Sequence, residues 1–400
     1  MTIIETFRKQ AQQGLVNIDE DVIDLTFEQV RAEFPIAARR TYLNNASIGP
    51  MSNLVMASVE TFLSDVRDNG RNNYPHWCAY AEDAIKSRIG RLIGAKSSEI
   101  AFAKNTTEGL VAVANGLDWR EGDNLVLPSI EYPSNVYCWQ RLAKQGVTTK
   151  WIEPVNGVIS VDSVAEAIDR RTRLVSISAV QFSNGYRHDL DALQELCRSR
   201  GVLLNLDAIQ WVGALHLDLS SGGVDFLSYG GHKWMLSPIG TGVFYCNERA
   251  LDQLTPSMVG YHTVAKSEAH MDYDLTDYRP GAARFEAALE NFPGIWGMDA
   301  AVKTVLGLGT RAVEAHILSL VEHASERLRA RGWTINSPHG PCEMSGILSF
   351  SGPVDVVALE TRLRDAKIDI ALRAGRARIS PSYHNTLDDI DTFVDALPTF

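Results

Sequence analysis

The chain has 400 residues, of which 45% are hydrophobic and 22% charged, with a formal net charge of −11. That is an ordinary globular composition, long enough for a large and a small domain, and an acidic balance without a basic cluster argues against nucleic acid or an anionic membrane as partner. The start, Met1-Thr2-Ile3-Ile4-Glu5, leads into no signal-peptide core, no apolar run approaches the ~20 residues that span a bilayer, and five scattered cysteines suit a reducing cytoplasm and offer no metal-ligand spacing.

Residues 1–40 read as an amphipathic helical arm, as in Ile23-Asp24-Leu25-Thr26-Phe27-Glu28-Gln29-Val30-Arg31. Thr41 to Pro50 is a short strand running into a Gly-Pro turn. Two helical patterns follow, the second from about Tyr80 to Gly94. From Ile100 to about Asn247, apolar runs alternate with helical stretches. Asn124 to Leu127, Leu174 to Ser178, Val202 to Leu206 and Gly242 to Cys246 are the clearest strands. Such alternation predicts βαβ units in a mostly parallel, doubly wound α/β sheet. Beyond about residue 300 the texture changes. A helix over Leu318 to Leu328, strands at Gly346 to Phe350 and Ala377 to Ser380, and a closing helix from Thr386 to Leu397 make a smaller α+β unit. The division expected is an arm over 1–40, a large domain over 41–280 and a small one over 281–400.

Two runs deliver chemistry to the sheet edge. Val202 to Leu206 ends in Asp207, with Gln210 three residues on. Val224-Asp225-Phe226-Leu227-Ser228-Tyr229 passes through Gly230-Gly231 to His232-Lys233. Alone, the lysine is more often solvated and the aspartate more often a helix cap. A carboxylate and a lysine on the ends of neighbouring strands meet the needs of pyridoxal 5'-phosphate (PLP). The lysine forms a Schiff base and the acid pairs with the pyridinium nitrogen.

Flanked as they are, Asp207, Gln210, Asp225-Phe226 and His232-Lys233 resemble the core of the class V aminotransferase group. That group contains cysteine desulfurases, kynureninases, isopenicillin-N-epimerase-like enzymes and several C–S lyases. The resemblance spans about residues 41–395 and implies fold type I of the PLP-dependent transferases and an amino-acid substrate. It implies further roles. Thr106 and Thr107, in a turn between a strand and a helix, would hold the phosphate, and His232 would approach it. Tyr132 stands where the group has a histidine stacked on the pyridine face; it can stack, and its hydroxyl is a weaker acid. Gln210 and Gln181 would contact the cofactor. Arg378, in Arg378-Ile379-Ser380, would grip the substrate carboxylate, with Asn45 and Ala46 lining the substrate side. Arg284-Phe285-Glu286 to Asn291 resembles a segment that serves a homodimer with shared sites, although Leu289 replaces the threonine that crosses that interface.

One departure bears on the reaction. Desulfurases carry a nucleophilic cysteine on a loop before the arginine-serine segment. Here Arg373-Ala374-Gly375-Arg376-Ala377-Arg378 runs straight through, and Cys342 lies well upstream. Without a thiolate there, no persulfide forms on that loop. The expectation is β-elimination of the C–S lyase type, on substrates larger than cysteine because the short loop opens the mouth. The alternatives are an aminotransferase, an epimerase, or a non-catalytic binding protein on a degenerate PLP fold. Nicotinamide binding is disfavoured, since no Gly-x-Gly-x-x-Gly follows a first strand.

Overall fold

The computed structural model describes residue 22 and residues 24–265, 277–340 and 342–400. Most of the expected helical arm lies outside the described residues. Within them, Phe27–Ala32 is a helix started by a capping box, in which the Thr26 hydroxyl accepts from Gln29 N–H and the Gln29 side chain accepts from Thr26 N–H. The short strand β1 (Thr41–Tyr42) pairs in parallel with Ile368–Asp369, which ties together segments far apart in the chain. The helical pattern after it is a helix over Asn53–Asn69. The pattern expected from Tyr80 is broken: helix Tyr74–Ala79 passes through a π-helical turn, Tyr80–Ile85, into helix Lys86–Ile93.

The central sheet has seven strands: β2 (Ile100–Ala103), β3 (Asn124–Pro128), β4 (Thr148–Ile152), β5 (Thr172–Ser178), β6 (Leu203–Asp207), β7 (Phe226–Gly230) and β8 (Gly242–Cys246). Their order is β2-β8-β7-β6-β5-β3-β4. β7, β6, β5, β3 and β4 are mutually parallel, while β8 runs antiparallel to both neighbours. Every residue of β3, β6, β7 and β8 is buried, as unbroken apolar runs require when helices cover both faces. Alternate residues feed two cores: Val126, Val175, Leu204 and Leu227 on one side, Leu125, Leu174, Leu203 and Phe226 on the other. β4, at the edge, is only partly covered.

Parallel register sets Ser178 beside Asp207 and Asp207 beside Ser228. Three carboxyl ends therefore stand side by side, the place where open α/β sheets build sites.

A second sheet is antiparallel, with order β12-β13-β10-β9, built from β9 (Thr334–Ile335), β10 (Leu348–Ser351), β12 (Ala371–Arg373) and β13 (Arg376–Ile379); β11 (Ile368–Asp369) is the partner of β1. Helices Thr310–Ala330, Val356–Asp365 and Leu387–Asp395 pack on it around Leu320, Leu328, Phe350, Leu363 and Phe393. Leu43 belongs to this core, and Asn44 bridges to Ser380. Helix Phe292–Leu308 packs instead against Asn53–Asn69, through residues such as Leu54, Phe62, Ile295 and Met298. Among the described residues no single helix is long and apolar enough to cross a membrane.

Candidate active site

A cavity of about 460 Å³ opens at the carboxyl ends of β5, β6 and β7. Asp207 and Lys233 line it together. β6 brings the first because its apolar run stops at the sheet edge, and the turn after β7 brings the second. That turn is braced from outside. Gly49 N–H donates to the His232 carbonyl (2.8 Å), and a side chain at Gly49 would collide with the Lys233 carbonyl. Leu236, fully buried, holds a left-handed φ of 53°, a conformation a leucine adopts only under constraint.

Asp207 is almost fully buried, and its carboxylate accepts one hydrogen bond, from Ile209 N–H (3.0 Å). Burial pushes its carboxyl well above the usual range and the neighbouring Glu131 charge adds to this, while Ile209 N–H and the Lys233 charge oppose it. The Lys233 amine makes no hydrogen bond or ion pair among the described residues, and it lies 5.6 Å from the centre of the Tyr132 ring. Its amine is pushed down, first by burial; Asp207 opposes this, and the positive charges of Arg378 and Arg373 reinforce it. A lysine held partly neutral is a nucleophile and a proton acceptor.

Helix Thr106–Gly116 starts at the same cavity, with Asn105 as N-cap accepting from Glu108 N–H. Thr106 Oγ1 is buried without a partner, and the Thr107 hydroxyl donates to Ser134 Oγ (2.9 Å). Two threonine hydroxyls at this helix N-terminus, with the Ser134 hydroxyl of another helix beside them, make an anion cradle. The residues therefore fit pyridoxal phosphate. An unpartnered amine can hold its carbonyl carbon, a buried carboxylate without a contacting cation can hold a protonated ring nitrogen, and an orphaned threonine hydroxyl stands in the cradle for its phosphate.

The structure brings Ala46, Thr106, Thr107, Tyr132, Asp207, Gln210, His232, Lys233 and Arg378 to the cavity wall. It does not bring Asn45 or Gln181 there. Asn45 is buried in the scaffold, its side-chain amide donating to the Ser380 carbonyl (2.8 Å). Gln181 donates to Glu131 (2.9 Å). Gln210 lines the cavity with its amide already engaged, accepting from Trp234 Nε1 (2.7 Å) and donating to the Ala46 carbonyl (3.1 Å), so it braces the lysine turn. Tyr132 meets Phe182 edge-on, with centroids 5.2 Å apart.

Sequence reasoning passed over Glu131, Ser47 and Arg373. Glu131 is buried between four donors: Ser178 N–H and Gln181 Nε2 on one oxygen, Asn135 Nδ2 and the Ser178 hydroxyl on the other. Its signal was an acid opening the Glu-Tyr-Pro-Ser-Asn segment. Ser47 follows Asn45-Ala46 in the same turn. Its hydroxyl donates to Asn44 Oδ1 (2.7 Å) and accepts from both Arg378 Nη2 and Arg373 Nη2, each at 3.1 Å. Arg378 also donates to the Phe182 carbonyl (2.5 Å), while its Nε is buried and unpartnered. Burial first, then Arg373, pushes the Arg378 guanidinium down to about 9.

A family model described as aminotransferase class-V matches residues 41–389. A protein of Methanothermobacter thermautotrophicus named probable cysteine desulfurase is 29% identical over 408 residues, covering 94% of this chain and 98% of that one. The apo structure of the cysteine desulfurase from Thermococcus onnurineus NA1 superposes with a TM-score of 0.84 at 25% identity, over 92% of this chain and 96% of that one. The cystine C–S lyase C-DES, in complex with its product cysteine persulfide, shares the fold with a TM-score of 0.83 at 23% identity, over 90% and 98%.

Proposed function

Because this chain belongs to the class V aminotransferase family, whose cofactor is pyridoxal phosphate, we propose that it catalyses β-elimination from a sulfur-bearing α-amino acid and does not park sulfur on a protein cysteine. The observation that carries this reading is the β12–β13 connection. It is a two-residue turn, Ala374-Gly375, with φ of 49° and 72°. Such a turn leaves no loop on which a cysteine could reach the substrate. None of the residues lining the cavity is a cysteine. Cys138, Cys197 and Cys246 are buried, and burial pushes the thiols of the first two up to about 12, far from a reactive thiolate.

When bound, pyridoxal phosphate supplies a sink for negative charge at the substrate Cα. Lys233 Nζ, held partly neutral, takes the Cα proton. Asp207 keeps the proton on the ring nitrogen. Thr106, Thr107 and His232 hold the phosphate, Tyr132 covers the ring, and Arg378 takes the α-carboxylate bidentately. The Cβ–S bond breaks, sulfur leaves as a thiol, and with water the remainder becomes pyruvate and ammonia. A homodimer working in the cytoplasm belongs to the same reading. Exposed Met258, which shares a surface pocket with Asn105 and Thr107, together with exposed Val259, Tyr261 and Leu289, supplies apolar surface for a second copy.

The test is a panel of amino acids and cysteine S-conjugates supplied to the holoenzyme. Pyruvate with stoichiometric ammonia is expected. An inverted α-centre, or a keto acid without ammonia, would assign an epimerase or an aminotransferase instead, and no turnover of any member would leave the binding-protein reading.

A further inference from the structure

Arg373 and Arg378 meet on one wall of the cavity with no carboxylate between them. In the β12–β13 hairpin Ala371 pairs with Arg378 and Arg373 with Arg376, so all four residues share one face of the sheet. Arg373 and Arg378 converge on a single hydroxyl, Ser47 Oγ, and neither makes an ion pair with any described residue. Asp207 is the only acid among the residues lining the cavity, against Lys233, Arg373 and Arg378. Two neighbouring cations, one of them buried, repel each other and cost stability unless an anion arrives. The phosphate cradle does not supply that anion, because its hydroxyls come from Thr106, Thr107 and Ser134 on other elements.

One α-carboxylate has two oxygens, enough for one guanidinium fork. Arg378 is the deeper of the two, nearly fully buried, and Arg373 lies part-exposed beside the hairpin turn. We propose that Arg373 is a specificity-determining residue for a second acid group, so that the substrate is an α-amino acid whose side chain or S-substituent ends in an anion. Arg378 takes the α-carboxylate in the interior and Arg373 takes the distal anion toward the mouth. The inference rests on the amino-acid reading of the site above.

Matched pairs that differ only in that charge test it. The holoenzyme is titrated with S-carboxymethylcysteine and with S-carbamoylmethylcysteine, and with aspartate and asparagine, following the cofactor absorbance, which reports binding without turnover. The anionic member of a pair is expected to saturate at a concentration about tenfold or more lower, the scale of one charge-assisted hydrogen-bonded contact. In Arg373→Gln that ratio should fall towards one, whereas Arg378→Gln should weaken both members. Equal binding of the two members by the wild-type protein overturns the proposal without any variant. So does an Arg373→Gln protein that weakens both members alike, since the two arginines would then share a single carboxylate. If no amino acid perturbs the spectrum at all, the amino-acid reading itself falls and this inference falls with it.

Discussion

The Asp207 carboxylate has one N–H donor, from Ile209, and feels the Lys233 charge without contacting it, while burial and the Glu131 charge act against its negative form. A contacting cation at its free oxygen would offset the burial that disfavours the negative form. Asp207→Ala should therefore fold and bind cofactor weakly, and should lose several powers of ten in turnover, at about 1.4 kcal/mol of barrier per tenfold. Near-native turnover in that variant would assign the role to another acid. His188 gives a test that is independent of catalysis. It is fully buried, its Nε2 has no partner, and burial lowers it from 6.5 to about 3. The unfolded chain binds this proton below pH 6.5 and the folded chain does not, so the site's contribution to stability is lost as pH falls from 6.5 towards 3. Replacing His188 by Leu should remove that part of the slope. Urea unfolding of both proteins at pH 7 and pH 5 measures it, and parallel slopes would contradict the account.

At the scale of elements, the β12–β13 hairpin was legible only in part. The run from Arg373 to Arg378 told of a short connection, but its turn type was hidden. Both central residues have positive φ, where Asn-Gly is the usual pair, and the first here is Ala374. An alanine held there is strained by about 1 kcal/mol. Ala374→Asn should therefore raise stability by ~0.5–1 kcal/mol, read as a higher unfolding midpoint at an unchanged denaturant slope. A loss of stability would mean that the turn is not of this type. The break at Tyr80–Ile85 was likewise hidden, because a π-helical turn keeps an apolar face similar to that of the helices on either side. By contrast β6 and β7 were legible, since runs buried on both faces must be uniformly apolar. Asp207 and Lys233 stood out because they end those runs.

At the scale of the molecule, the cavity joins the turn at Ala46–Ile48, the helix start at Thr106, the ends of the parallel strands and the hairpin at Arg373–Arg378. Each piece carried a local signal; how the pieces meet did not. Nothing in the sequence says that Ser47 bridges two arginines more than 300 residues away, that Asn45 turns into the scaffold, or that Gln181 serves Glu131. These are consequences of β1 pairing with β11 and of four donors gathering round one buried acid. The assembled site has cations, hydroxyls and one buried carboxylate but no thiol. The most direct measurement is therefore pyruvate release from a cysteine S-conjugate by a holoenzyme in which Cys78, Cys138, Cys197, Cys246 and Cys342 are all replaced by Ser or Ala. Stability should fall where Cys138 and Cys246 leave the core, but turnover per cofactor-loaded site should persist and sulfur should leave as a small molecule. A single cysteine whose replacement abolishes turnover while the cofactor absorbance stays unchanged would contradict the account.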